Sequence, residues 1–230
     1  MTLLMAGILT MLGAGGGGSG SAGTNPGSPS NYWKIDSWTT TTAASVGAVS
    51  LSVSGSPTSV AGIQGNGADC PTGVVGFTSS DVLFQLGDTD FTWALWFKVS
   101  GANPIILDTK GGGDTQGYRI QADTVNGAGF YCQGAGGSGT VTYGTPYTAN
   151  AWQLIVAAHD SVNNLLKVSQ NGGAFASVAY SFGTSGTNPL QFGRFFGTPV
   201  TIDELGLWKA KVFINSEALY LWNGGAGRTY

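Results

Sequence analysis

AWQLIVAAHDSVNNLLKVSQNGGAFASVAY, residues 151–180, decides the kind of fold this chain adopts. It reads as two consecutive hairpins: a strand from 152 to 158, a turn over 160–164, a strand from 165 to 170, a tight turn at Asn171 and Gly172, and a strand from 175 to 180. Asn-Gly is a strong short hairpin signal because both central positions of a type I′ turn take positive φ. The turn pins the register of the strands on either side.

Upstream, Phe91, Trp93, Leu95 and Phe97 alternate with Thr92, Ala94, Trp96 and Lys98. A period of two gives one fully apolar face, the mark of a core strand. Downstream, helical periodicity occurs only in NSEALYLWNGG, residues 215–225. There Asn215 or Ser216 is placed to cap, Ala218, Leu219 and Trp222 share a face, and Gly224 or Gly225 supplies a left-handed terminator. No fixed internal repeat marks a propeller or solenoid. Many strands, sparse helix and glycine turns predict an all-β fold: two antiparallel sheets in a jelly-roll sandwich that protects its edges.

The totals agree. A length of 230 residues suits one β-rich domain with an arm. Charged residues make up 9% and the net charge is −3, so no basic stripe exists to neutralise a phosphate backbone, and nucleic acid is excluded as a partner. Thirty-nine glycines alone would suggest disorder, but 42% hydrophobic content with seven Trp, eight Tyr and eleven Phe supplies a core. Cys70 and Cys132 are either one bridge or two small buried hydrophobes, and with His159 as the single histidine they do not make a four-ligand zinc centre.

Residues 1–30 read as a docking arm and linker, and residues 31–230 as the sandwich domain. The arm begins MTLLMAGILTML, whose Leu3, Leu4, Ile8, Leu9 and Leu12 are candidate anchoring residues. No Lys or Arg precedes this run, which makes it a poor signal peptide, and it is well short of the ~20 apolar residues that span a bilayer. An apolar run on a Gly/Ser tether, ordered only when something covers it, is what a docking segment looks like.

Four pieces in order carry a resemblance: YWKIDS with SVGAVSLSVSGSPTSVAGIQGNGADC; DFTWALWFKVSG, ILDTKGG and GYRIQAD; AWQLIVAAHDSVNNLLKVSQNGG; and PLQFGR with IDELGLWKAKVFINSEALYLWNGG. Together they resemble the laminin G-like branch of the concanavalin A-like lectin and glucanase superfamily, from about Tyr32 to Tyr230. The resemblance implies a jelly roll with one concave sheet, and a binding or adhesion module rather than an enzyme. The ending LYLWNGGAGRTY is similar to domains on virion proteins of tailed bacteriophages and in bacterial surface proteins. The chain departs from the family at Cys70 and in its N-terminal arm.

Candidate chemistry is sparse. Asp203 and Glu204 are adjacent, and neighbouring residues on a strand point to opposite faces, so they are not expected to address one substrate. A glycosidase needs two carboxyls flanking one glycosidic bond, and no E-x-D-x-E or E-x-E string occurs. Asp203 is expected instead to accept backbone N–H bonds that tie the last strand to a neighbouring loop. Asp88 and Asp90 read as turn residues, and His159 as a surface or turn residue. No G-x-S-x-G elbow or phosphate loop exists, and Ser138 lies in a glycine tract. Asp108 and Asp114, flanking Gly111–Gly113, are the candidate ligands should Ca²⁺ bind; otherwise no cofactor is expected. For sugar stacking the candidates are Trp96 and Trp208, with Glu204, set against the alternative that these indoles are buried supports.

The expected function is a non-catalytic virion structural protein: a bacteriophage decoration, fibre or tail-associated component. Its arm would dock on capsid or tail proteins and display the sandwich, as a homo-oligomer. The alternative is a soluble or surface carbohydrate-binding module, extracellular or at the cell surface, with cell-surface glycans as partners. Such an inference works from family and fold, not from a site.

Overall fold

Two periodicities organise the described molecule, a period of two through sixteen strands and one short helix near the C-terminus. The computed structural model describes residues 23–73, 75–101, 103–110, 116–184, 186–193 and 199–230. The strands are β1 (Asn31–Trp33), β2 (Thr41–Thr42), β3 (Leu51–Val53), β4 (Thr58–Ala61), β5 (Asn66–Cys70), β6 (Phe77–Ser79), β7 (Phe91–Val99) and β8 (Ile105–Asp108). They continue with β9 (Gly117–Asp123), β10 (Gly127–Gly134), β11 (Gly137–Thr142), β12 (Gln153–Asp160), β13 (Leu165–Gln170), β14 (Ala176–Ala179), β15 (Leu190–Phe192) and β16 (Val200–Lys209), followed by helix α1 (Asn215–Trp222).

Every pairing among these strands is antiparallel. The first sheet runs β14-β13-β12-β7-β16-β5-β4, with β1 also paired to β16; the second runs β11-β10-β9-β8-β15-β6-β3-β2. The two sheets form the expected jelly-roll sandwich. Asn171 (φ 53) and Gly172 (φ 71) both adopt positive φ at the β13–β14 turn, as a type I′ hairpin requires.

Between the sheets lies the main core. Trp33, Phe91, Trp93, Leu95 and Phe97 of the first sheet meet Phe77, Ile120, Phe130 and Phe192 of the second. Trp33 and Trp93 stack with ring centroids 6.4 Å apart. Each such side chain contributes about 1.5–3 kcal/mol by leaving water. Cys70 and Cys132 are free thiols buried in this core.

A second core covers the outer face of the first sheet, where Ala94, Trp96, Leu154, Val156 and Trp208 are packed under Phe213 and the helix residues Ala218 and Leu221. Strand β7 is therefore apolar on both faces, and Trp96 stacks on Trp222 at 5.3 Å and 17°. At the start of α1, Glu217 Oε2 accepts the Ile214 N–H at 2.9 Å, while Asn215 Oδ1 accepts the Phe175 N–H at 2.9 Å. Asn215 thus serves the neighbouring loop and does not cap the helix as expected. The left-handed terminator begins one residue earlier than expected, at Asn223 (φ 48), ahead of Gly224 (φ 65), because asparagine also tolerates this region.

Residues 23–30, assigned by composition to a linker, lie against this layer. Thr24 N–H donates to Ser216 O at 2.9 Å, Trp208 Nε1 to Gly27 O at 3.0 Å and Lys211 Nζ to Pro26 O at 2.5 Å. Leu3, Leu4, Ile8, Leu9 and Leu12 lie outside the described residues.

Candidate functional site

The acidic pair in β16 sits on an irregularity. β16 pairs with β7 as Asp203↔Trp96 and then Gly206↔Ala94, so β16 carries one extra residue there. Glu204 adopts φ 50, a left-handed conformation uncommon for a residue with a side chain. The bulge inverts the parity read from sequence: Ile202 and Leu205 both face the main core, while Asp203 lies opposite Trp96 of the outer face. Simple alternation therefore does not hold at Glu204.

Asp203 does what the sequence suggested. Its Oδ2 accepts the N–H groups of Ile63 (2.9 Å) and Gln64 (3.2 Å), and its Oδ1 accepts that of Glu204 (2.9 Å), tying β16 to the β4–β5 turn. Glu204 is fully buried, and among the described residues neither of its carboxyl oxygens has a hydrogen-bond partner. Burial pushes Glu204 up to about 8 and Asp203 to about 7, the latter against its three backbone N–H bonds. Burial first, and then the nearby Glu204 and Asp203 carboxyls, hold the Tyr230 hydroxyl well above its ordinary value. An acid pair shut from solvent, with one member committed to backbone donors, has no access to a polymeric substrate.

Trp96 is fully buried and Trp208 is 2% exposed, both in the second core, so neither offers a ring face to a sugar. The buried-support alternative describes them. Asp108 is also fully buried: its Oδ1 accepts Lys110 N–H (3.0 Å) and Arg119 Nε (3.3 Å), and its Oδ2 accepts Arg119 Nη2 (3.1 Å). Asp114 lies outside the described residues, and among those described no three His, Cys, Asp or Glu residues cluster as metal ligands. His159 corrects the expectation of a surface residue. It is fully buried in β12, with Nδ1 2.8 Å from Thr89 O and its ring against Phe91 and Tyr180, because a strand end beneath the Asp88–Asp90 loop is an interior position here. Asp90 Oδ1 accepts from the N–H and hydroxyl of Ser161, a turn role as expected.

A different surface has the chemistry of a binding face. The strand registers of the second sheet join Thr41↔Ser52, Ser52↔Thr78, Thr78↔Gln191, Gln191↔Asp108, Asp108↔Arg119, Arg119↔Tyr131 and Tyr131↔Thr140. One cross-strand row of polar side chains plus a tyrosine thus spans all eight strands of that sheet. At about 4.8 Å per strand it is roughly 33 Å long. Residues of the opposite parity, such as Leu51, Phe77, Phe192, Leu107, Ile120, Phe130 and Val141, face the core, so the row lies on the outer face. Thr41, Ser52 and Thr140 are exposed, Thr78, Gln191, Arg119 and Tyr131 are half-buried, and Asp108 is buried beneath its contacts with Lys110 and Arg119. Tyr131 is held in place by its hydroxyl donating to Gln133 Oε1 (2.8 Å), with Lys110 Nζ 5.6 Å from its ring. Hydrogen-bonding side chains fixed on strands beside an aromatic ring form a surface able to hydrogen-bond hydroxyl groups and stack on a sugar. The alternation in GYRIQAD and in FYCQ carried this signal, but only pairing across strands assembles the row.

A family model described as the concanavalin A-like lectin/glucanases superfamily, of laminin G type, matches residues 72–212. No curated protein matches the chain significantly by sequence. Among solved structures, the receptor binding domain of botulinum neurotoxin mosaic serotype C/D is similar at TM-score 0.67 and 13% identity, over 86% of this chain and 51% of that one. The chain thus spans about half the length of that toxin domain. Domain 4 of AbnA, an extracellular GH43 arabinanase from Geobacillus stearothermophilus solved with arabinotriose, is similar at TM-score 0.60 and 14% identity, over 84% of this chain and 97% of that one. The CBM40 of the Ruminococcus gnavus IT-sialidase, bound to α2,3 sialyllactose, is similar at TM-score 0.53 and 12% identity, over 73% and 96%. Identities this low establish a shared fold. No helix among the described residues is long and apolar enough to cross a membrane.

Proposed function

The chain belongs to the concanavalin A-like lectin/glucanases superfamily, and from that premise we propose that it is a non-catalytic carbohydrate-binding domain whose second sheet receives an extended glycan across its strands. The observation that carries this reading is the polar row from Thr41 to Thr140. Its length suits an oligosaccharide rather than a single ring, and its side chains stand on rigid strands, so little entropy is lost on binding. The sugars bound by the arabinanase domain and the sialidase CBM40 support the same class of ligand on this fold. Burial of Asp203 and Glu204 supports a binding rather than a hydrolytic role.

Binding to a glycan array that includes arabinotriose and α2,3-sialyllactose tests it. Tyr131→Ala is expected to weaken every positive signal at least tenfold while leaving the melting temperature within a few degrees of wild type. An array blank at millimolar glycan, or signals unmoved by Tyr131→Ala, would defeat the proposal.

Attachment through residues 1–22, to a virion or a cell surface, is the second part of the reading. One observation favours it: Thr24 is tied to Ser216 at the start of α1, on the layer covering the first sheet, so the chain reaches the body on the side away from the polar row. An anchor on one side and a binding face on the other is the arrangement a displayed module needs. Deleting residues 2–22 is expected to leave glycan binding intact and to abolish copurification with particles or envelopes; unchanged copurification removes this part.

A further inference from the structure

We propose that a second, loop-built sugar subsite lies at the β2 end of the polar row, in the cleft between Trp38 and strand β4, and that it takes a single neutral sugar ring. The inference rests on the reading of the domain as a glycan binder and adds a site to it. The cleft has a volume of ≈ 290 Å³ and is lined by Asp36, Ser37, Trp38, Pro57 and Ser59. Its chemistry is one aromatic, one carboxylate and two hydroxyls around a space for a small ring. A few fixed polar groups beside an aromatic surface describe a small-molecule site.

Each part is held in position. Trp38 is half-buried and meets Phe77 of the core edge-on, with centroids 5.5 Å apart and planes at 88°. Asp36 Oδ1 accepts the Asn66 N–H at 2.8 Å, whereas no hydrogen bond among the described residues occupies Oδ2. Ser37 and Ser59 are exposed, and no hydrogen bond within the described residues engages either hydroxyl. Between β1 and Asp36, Ile35 adopts φ 60 while remaining 1% exposed. A β-branched residue in the left-handed region is a true conformational outlier, and such strain persists only where the surroundings over-determine it. Here it buries Ile35 in the core and bends the segment that bears Asp36 and Trp38 toward β4.

The subsite is continuous with the row, since Trp38 precedes Thr41 by three residues, a reach of at most about 10 Å. A neutral ring fits better than an acidic one, because Asp36 is the single charged group lining the cleft. Its free oxygen accepts from sugar hydroxyls and repels a carboxylated sugar.

The test follows the indole Nε1–H signal of Trp38 in ¹⁵N spectra of the full chain, titrated with methyl glycosides of the common hexoses and pentoses and with N-acetylneuraminic acid. A neutral glycoside is expected to shift that signal, N-acetylneuraminic acid is not, and Ser59→Trp, which fills the cleft, is expected to abolish the shift. In Trp38→Ala the same glycoside is expected to lose its saturation-transfer signal. The shift should persist in Tyr131→Ala. If glycans bind through Tyr131 but no glycoside moves Trp38, or the shift survives Ser59→Trp, the subsite is overturned and the sheet-face reading stands. If Trp38 shifts and Tyr131→Ala is neutral on the array, the subsite stands and the sheet-face reading falls.

Discussion

Asp203 and Asp36 grip the same turn from two directions: Asp203 Oδ2 accepts from Ile63 and Gln64, and Asp36 Oδ1 accepts from Asn66. The β4–β5 turn is thereby fixed between the last strand and the loop that carries Trp38. These carboxylates are two of twelve acidic residues in the chain, and each spends one oxygen on backbone donors of that turn.

Asp203→Ala strands three backbone donors, those of Ile63, Gln64 and Glu204. An unsatisfied buried donor costs about 1–3 kcal/mol, and water entering the space left behind offsets part of it, so a net loss of roughly 2–4 kcal/mol is expected in urea denaturation. Asp203→Asn, which retains one acceptor oxygen, should lose less. Equal stability of all three proteins would show that the tie contributes nothing.

Glu204 predicts a pH dependence of definite sign. Its folded value of about 8 lies above the ordinary 4.5, so the folded state keeps a proton that the unfolded chain releases. Stability is complete below about 4.5 and is lost as pH rises toward 8. Asp203, raised to about 7 from 3.8, contributes a loss of the same sign that ends near 7. Within each window the slope approaches about 1.4 kcal/mol per pH unit. Glu204→Gln should flatten the fall between pH 7 and 8 and exceed wild type in stability at pH 8; a wild-type stability that does not fall across that unit would assign the burial cost elsewhere.

Trp96→Ala separates packing from recognition. The indole is fully buried and stacked on Trp222, so its removal should cost about 3–5 kcal/mol. Glycan affinity of the remaining folded protein, measured well below its melting temperature, should stay within twofold of wild type. Lost affinity with unchanged stability would restore Trp96 as a contact residue.

Gly172→Ala probes the hairpin that decided the fold. The position has φ 71, and an added Cβ would stand 2.7 Å from Trp222 Cβ and 3.1 Å from Leu219 Cα. Strain and overlap together should lower stability by roughly 1–3 kcal/mol, read as a shift in the urea midpoint. A neutral outcome would mean that α1 is free to move off the hairpin.

Much of this architecture is legible along the chain because it is local. Phe91 to Phe97 alternate in sequence as they do in space, and Asn171-Gly172 dictates its own turn. Asp203 was readable as a tie because an acid next to a core strand in a chain with so few bases has backbone donors as its remaining partners. Glu204 was not, since parity holds only until a bulge inserts a residue, and nothing local in IDELG announces one. The outward direction of Trp96 was legible and its burial stood as one of two alternatives, but the element that covers it was not, because that cover comes from α1, more than a hundred residues later. His159 followed the same rule, being enclosed by a loop distant in sequence. The polar row is the extreme case, with contributors scattered from Thr41 to Gln191 and aligned only by seven separate registers.

Cys70 and Cys132 remain reduced deep between the sheets, and burial pushes Cys70 up to about 12 and Cys132 well above its usual value. Neither is a thiolate at neutral pH, so neither exchanges readily with glutathione or an oxidant. Maturation of the sandwich therefore demands no oxidative folding machinery. Dithiothreitol should leave its unfolding curve where it was.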